Sequence, residues 1–120
     1  MALVGLLVNP DAGLGGKLGF KGSDGRAELA RSEGAEDRSG PRMHQTLLRL
    51  IELGTEKVQF LTCEGRMGSS WLPKGVGEVS KIVGAEPSGA QDTINAVRKM
   101  VEEGIDLLLY SGGDGTTRDI

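Results

Sequence analysis

The stretch Ile105-Asp106-Leu107-Leu108-Leu109-Tyr110-Ser111-Gly112-Gly113-Asp114-Gly115-Thr116-Thr117 decides the fold. Its first half is a short apolar run of the kind that makes a strand buried on both faces. Its second half is a tight glycine turn carrying one acid, followed by hydroxyl residues that suit a helix start. A strand that runs through such a turn into a helix suits phosphate handling. Gly112, Gly113 and Gly115 let backbone come close to a ligand, and free N–H groups at the helix start can face an anion. Asp114 stands where a carboxylate can act on a hydroxyl beside that phosphate.

Working back from this stretch, Ile94, Val97 and Val101 fall on one helical face, and Gly104 ends the helix. Ser88 is the expected cap, with Gln91 completing a capping box. Leu3–Val8, Val58–Thr62 and Val79–Val83 read as three further strands. A helix over 41–53 has Pro41 in its first turn, an apolar face of Met43, Leu47, Leu50 and Ile51, and Gly54 to close it. Residues 11–25 are a glycine-rich loop, and 26–40 are charged and weakly patterned, with a short helix expected near Ala27–Arg31. Residues 63–77 form a loop with a broken helix, since Pro73 interrupts any long one.

Strands alternating with helices imply a parallel sheet with helices on both faces, a three-layer Rossmann-like α/β domain. Ligands of such sheets sit at the C-terminal strand ends. Asn9, Gly65 and Gly112 each follow a predicted strand, so the glycine loops are expected to gather along one edge.

Composition narrows the partners. The net charge is −3, and the 14 basic residues form no run, which argues against nucleic acid. Aromatic residues are too few to make base-stacking platforms. No apolar stretch approaches the ~20 residues of a membrane span, and the start lacks the basic region of a signal peptide. Cys63 is the only cysteine, which excludes an internal disulfide and fits a cytoplasmic setting. The 20 glycines cluster at 13–25, 65–77 and 112–115, between apolar runs.

Two familiar motifs are excluded. Gly16-Lys17 is followed by Leu18, and Asp11 stands where a Walker A loop needs glycine. Gly13-Leu14-Gly15-Gly16-Lys17-Leu18 fails the dinucleotide fingerprint at its sixth position.

Gly112-Gly113-Asp114-Gly115-Thr116 resembles the signature of the superfamily of NAD kinases, diacylglycerol and sphingosine kinases and 6-phosphofructokinases. Val8-Asn9-Pro10-Asp11-Ala12-Gly13-Leu14-Gly15-Gly16 and Gly19-Phe20-Lys21-Gly22-Ser23-Asp24-Gly25 resemble the N-terminal segment of the ATP-NAD/AcoX-type kinase family. Gly65-Arg66-Met67-Gly68 and Asp92-Thr93 fall where that family has a Gly-x-Met-Gly loop and an Asp-Thr pair. The resemblance covers essentially the whole chain. It implies phosphoryl transfer from ATP or polyphosphate to the adenosine-ribose 2′-hydroxyl of NAD, assisted by magnesium or another divalent cation.

On the same resemblance, Asp114 is the catalytic residue that orients or deprotonates the attacking hydroxyl. Asn9, Gly13, Gly15, Gly16, Gly112, Gly113, Gly115, Thr116 and Thr117 are the nucleotide- and phosphate-binding candidates. Lys21, Asp24, Asp92 and Thr93 are further candidates, and no metal ligand is assigned. Lys17 and Lys21 can meet phosphate or simply be solvated. Asp24 can assist a metal, though Ser-Asp-Gly is also an ordinary turn. Asp92 in a first helical turn complements the helix dipole without any function. Arg118 and Asp119 can line the cleft or pair on its surface. His44 and Cys63 receive no catalytic role, and Trp71 is expected to pack the 65–77 loop.

The family's second domain, mainly β, follows the glycine-acid turn and has no counterpart here. The chain is therefore expected to be the N-terminal domain, residues 1–120, of a truncated or longer protein, weak or inactive alone. A non-catalytic nucleotide-binding or regulatory module of the AcoX type is the alternative. A lipid or sugar kinase is a lesser one. The expected partners are NAD and ATP, with no nucleic acid and no membrane; a homo-oligomer stays open.

Overall fold

The computed structural model describes residues 1–12, 38–85 and 89–120. Within these, strand β1 (Ala2–Val8) is followed by helix α1 (Ser39–Leu53), strand β2 (Val58–Cys63), strand β3 (Val79–Ile82), helix α2 (Ala90–Glu102), strand β4 (Leu107–Ser111) and the short helix α3 (Asp114–Asp119). All three strand pairings are parallel, and the order across the sheet is β3-β2-β1-β4. The glycine-rich loop from Gly13 onward, the expected helix near Ala27–Arg31 and the expected cap Ser88 lie outside the described residues.

Alternation along the strands sorts the apolar side chains into two layers, as period-2 geometry requires. Val4, Leu6 and Val8 of β1 join Phe60 of β2 and Met43 and Leu47 of α1. Leu7 of β1, with Leu61 and Cys63 of β2, packs against Ala96 and Met100 of α2. The sheet is therefore covered by a helix on each face, which is why its central strand β1 reads as a continuous apolar run. On the α2 side, a Cβ at Gly5 would stand 2.9 Å from Met100 Sδ, so glycine there lets the helix seat closely on β1.

The chain moves outward from β1 through β2 to β3, then crosses back to place β4 on the other side of β1. The β1–β4 crevice is thus the point where the strand order reverses, the place where open parallel sheets take their ligands. Both ends of this ladder are extended by hydrogen bonds beyond the paired strands. At the N-terminal end, the Leu3 N–H donates to Asp106 Oδ2 at 2.8 Å, and the Asp106 N–H donates to Leu3 O at 2.7 Å. The C-terminal end is closed by Asn9.

One local expectation is corrected. Helix α2 is capped at Gly89, with Asp92 at its third position; the capping box does not use Gln91. The Gly89 N–H donates to Asp92 Oδ2 at 2.8 Å, and the Asp92 N–H returns to Gly89 O at 3.0 Å. Gln91 instead donates to Asn95 Oδ1 on the helix surface. A carboxylate is the stronger acceptor and complements the helix dipole, so the start settles one residue later.

No helix among the described residues is long and apolar enough to cross a membrane.

Candidate functional site

At the C-terminal edge of the sheet the chain brings together four segments: the turn after β1, the start of α1, the loop after β2 and the glycine turn after β4. Asn9 sits at the centre of the first. Its backbone N–H donates to Ser111 O at 2.9 Å, extending the β1–β4 ladder by one bond past the strand. Its carbonyl accepts from the Ala12 N–H at 3.1 Å, closing a tight turn. Its side-chain Oδ1 accepts from the Asp11 N–H at 3.2 Å, and its Nδ2 donates to Thr116 Oγ1 at 2.8 Å.

Thr116 lies in the first turns of α3 and is only 2 % exposed. Gly112 lies against it: a Cβ at Gly112 would stand 2.6 Å from Thr116 Cβ and 2.8 Å from its Cγ2. Gly113 differs, with nothing within 4 Å of an added Cβ. Neither glycine has a positive φ, so the turn is shaped by close approach at Gly112 and not by a left-handed backbone. Asp114 opens α3, is exposed and has no hydrogen-bond or ion-pair partner among the described residues. Thr117 is also exposed; its Oγ1 lies 2.9 Å from the Tyr110 hydroxyl and 3.3 Å from Gly113 O.

The start of α1 is tied into the same edge instead of being capped by its own side chains. Ser111 Oγ donates to Ser39 O at 2.9 Å, and Ser39 Oγ makes a longer contact of 3.4 Å to Ala12 O. Neither serine stands out in the sequence. Their only signal is a hydroxyl at the end of one element and the start of another.

In the loop after β2, two short 3-10 turns, Gly65–Met67 and Ser69–Trp71, are separated at Gly68. The helix is broken there as expected, though at Gly68 and not at Pro73. Each fixed residue of the Gly-x-Met-Gly pattern has a packing reason. Gly65 adopts φ +73°. Met67 is buried, and its Sδ accepts from the Ala85 N–H at 3.3 Å. A Cβ at Gly68 would meet the Thr62 hydroxyl and stand 2.9 Å from Cys63 O. Trp71 packs this loop as expected. Its Nε1 donates to Arg66 O at 2.7 Å, the Arg66 guanidinium lies 5.3 Å from its ring centroid, and Gly40 of α1 abuts the ring. His44 Nδ1 donates to Trp71 O at 2.9 Å, a structural bond.

Of the residues singled out from the sequence, Asn9, Gly112, Gly113, Asp114, Gly115, Thr116 and Thr117 converge at the β1–β4 crevice. Asp92 and Thr93 stand at the start of α2, a helix in contact with α3, with the Asp92 carboxylate engaged in capping and Thr93 buried. Gly13, Gly15, Gly16, Lys17, Lys21 and Asp24 lie outside the described residues. Among the described residues no group of three or more His, Cys, Asp or Glu side chains could hold a metal ion. Magnesium, however, is commonly held by one or two carboxylates plus the phosphates of its substrate. A lone exposed Asp114 at the start of α3 fits that donor set.

Cys63 is buried at the end of β2, and burial pushes its thiol pKa up from 9.0 to about 11. Between pH 9 and 11 the unfolded thiol ionises while the native thiol keeps its proton. The unfolded state then binds fewer protons, so this contribution to stability is intact below pH 9 and falls as pH rises through 11. The thermal midpoint of the chain should drop over this window by more than that of Cys63→Ala. Equal drops would show that Cys63 ionises as freely in the native state as in the unfolded one.

A parallel sheet covered on both faces, with an acid-bearing glycine turn at its switch point, defines a Rossmann-like α/β domain, a class whose ligands sit at the strand C-termini. The chain belongs to the ATP-NAD kinase N-terminal domain family, which it matches over residues 4–120. No curated protein and no solved structure matches it.

Proposed function

We propose that this chain is the nucleotide-binding N-terminal part of an NAD kinase-type phosphotransferase. The observation that carries the reading is the convergence of Asn9, Gly112 and Thr116 on one side of a free, exposed Asp114 at the β1–β4 switch point, in a member of this family. The site offers backbone and hydroxyl groups to phosphate and one carboxylate to a sugar hydroxyl.

In the reaction, the 2′-hydroxyl oxygen of the adenosine ribose of NAD forms a bond to the γ-phosphorus of ATP. The bond from that phosphorus to the β–γ bridging oxygen breaks, and ADP leaves. Asp114 orients the attacking hydroxyl and accepts its proton. The glycine turn holds the phosphates in line, since such transfers depend on positioning and charge stabilisation more than on covalent help. Asp114 would help to hold a divalent cation, which would supply charge neutralisation during the transfer. Residues 1–120 alone supply one wall of this cleft; a mainly β segment beyond Ile120 would supply the rest of the NAD site. A single buried thiol suits a reducing, cytoplasmic compartment.

Amide NMR titration of the 120-residue chain with magnesium-ATP, and separately with NAD, tests the reading. Signals of Gly112–Thr117 and Gly13–Gly16 should move together with one saturating ligand. A folded spectrum that neither nucleotide perturbs would overturn nucleotide binding by this domain.

A further inference from the structure

Asn9 and Thr116 are 107 residues apart in sequence, and each is a candidate for direct contact with a nucleotide. Their geometry assigns them to each other. The Asn9 side-chain amide is held at both ends, Oδ1 by the Asp11 N–H and Nδ2 by Thr116 Oγ1. These two partners, a donor and an acceptor, also fix which end of the amide is oxygen. Thr116 is buried, so without Asn9 its hydroxyl would lose the partner that offsets its desolvation. Gly112 lies directly against the Thr116 side chain, with no room for a Cβ between them.

We propose that Asn9 is a positioning residue: it acts as a latch that locks Thr116, and through it the Gly112–Thr117 turn bearing Asp114, to the end of β1. Asn9 does not itself hold the ligand. The placement of the turn is independent of any ligand; its effect on nucleotide affinity rests on the function proposed above. Three links run in series. The backbone bond from Asn9 to Ser111 sets the height of β4 against β1. The side-chain bond to Thr116 sets the rotation of α3 about the turn. The packing of Gly112 on Thr116 transmits that rotation to the residues between them.

A double-mutant cycle separates this role from direct contact. Asn9→Ala, Thr116→Val and the double variant are compared with Thr116→Ser, which keeps the hydroxyl. Without ligand, Asn9→Ala and Thr116→Val should each shift the 112–117 amide signals in the same direction. Each should also speed hydrogen exchange there about fivefold, the factor implied by one ordinary hydrogen bond. The double variant should go no further than either single one, and Thr116→Ser should match the parent chain. The side-chain amide signals of Asn9 should lose their distinct position in Thr116→Val and keep it in Thr116→Ser. Additive effects in the double variant, or an unmoved turn in Asn9→Ala or Thr116→Val, would overturn the latch. If Asn9→Ala fails to fold, the Thr116 pair decides by itself: valine moving the turn and serine sparing it supports the latch, and any other pattern overturns it.

Magnesium-ATP and NAD are then titrated into the same variants. Should neither bind the parent chain, the nucleotide reading fails while the ligand-free cycle still decides the latch. Should one bind, Asn9→Ala should weaken it in the parent but not in the Thr116→Val background. A further loss in that background would mean that Asn9 touches the ligand directly and would overturn the proposal.

Discussion

Replacing Leu6 by alanine should lower the free energy of unfolding by about 2–5 kcal/mol, the range for deleting a leucine side chain from a packed interior. Leu6 is fully buried on the α1 face of β1, among Val4, Val8, Met43, Leu47 and Phe60. Its strand is central, with β2 on one side and β4 on the other, so the backbone cannot collapse into the space the side chain leaves. The loss is large against the roughly 5–15 kcal/mol that holds an ordinary domain together. Urea denaturation should show a lower midpoint at unchanged slope. Leu107→Ala is the control. Leu107 is apolar too, but it is 61 % exposed on the edge strand, so its removal should cost no more than about 0.5 kcal/mol. A Leu6→Ala chain as stable as that control would mean that the layer between sheet and α1 is loosely packed.

Two adjacent glycines should respond in opposite ways to the same substitution. In Gly112→Ala the new methyl would stand 2.6 Å from Thr116 Cβ. Thr116 is buried and tied to Asn9, so the turn itself must shift, at a cost of about 1–3 kcal/mol. The amide signals of Thr116 and Asn9 should both move. Gly113→Ala meets open space, and its backbone, with φ −102° and ψ −164°, is one that alanine adopts freely. Its effect should lie between neutral and a gain of about 0.4–1 kcal/mol, because alanine restricts the unfolded chain more than glycine does. Thermal unfolding of both variants makes the comparison. If Gly113→Ala proves the more damaging, the turn is not shaped by the contact between Gly112 and Thr116.

These two glycines also mark how far the sequence can be read. A glycine turn after an apolar strand is legible at 112–115, and so is its place at the ligand edge. That one glycine answers to a side chain within the protein and its neighbour to none is not, because the distinction depends on how α3 rotates. Strand β1 is legible because it is central and buried on both faces and so lacks polar interruptions, and β4 because its run Leu107–Tyr110, half-buried from Leu108 on, is apolar throughout. Helix α1 is legible from Met43, Leu47, Leu50 and Ile51. The start of α2 is misread by one residue, since Ser88-Gln91 and Gly89-Asp92 offer the same spacing. Only the stronger acceptor in place separates them. The partnership of Asn9 with Thr116 leaves no local trace at all, because no pattern of neighbours encodes a bond between residues so distant in the chain.

That distance has a consequence for synthesis. A ribosome delivers β1 first and its two neighbours much later. Thr62 of β2 reaches the carbonyl of Leu6 across 56 residues, and Asp106 reaches Leu3 across 103. The most apolar strand must therefore wait with one side open until β4 emerges, a topology that favours slow closure. The crevice beside Asp114 is assembled last. A nascent chain that stops short of β4 has a sheet to build on but lacks the crevice beside Asp114.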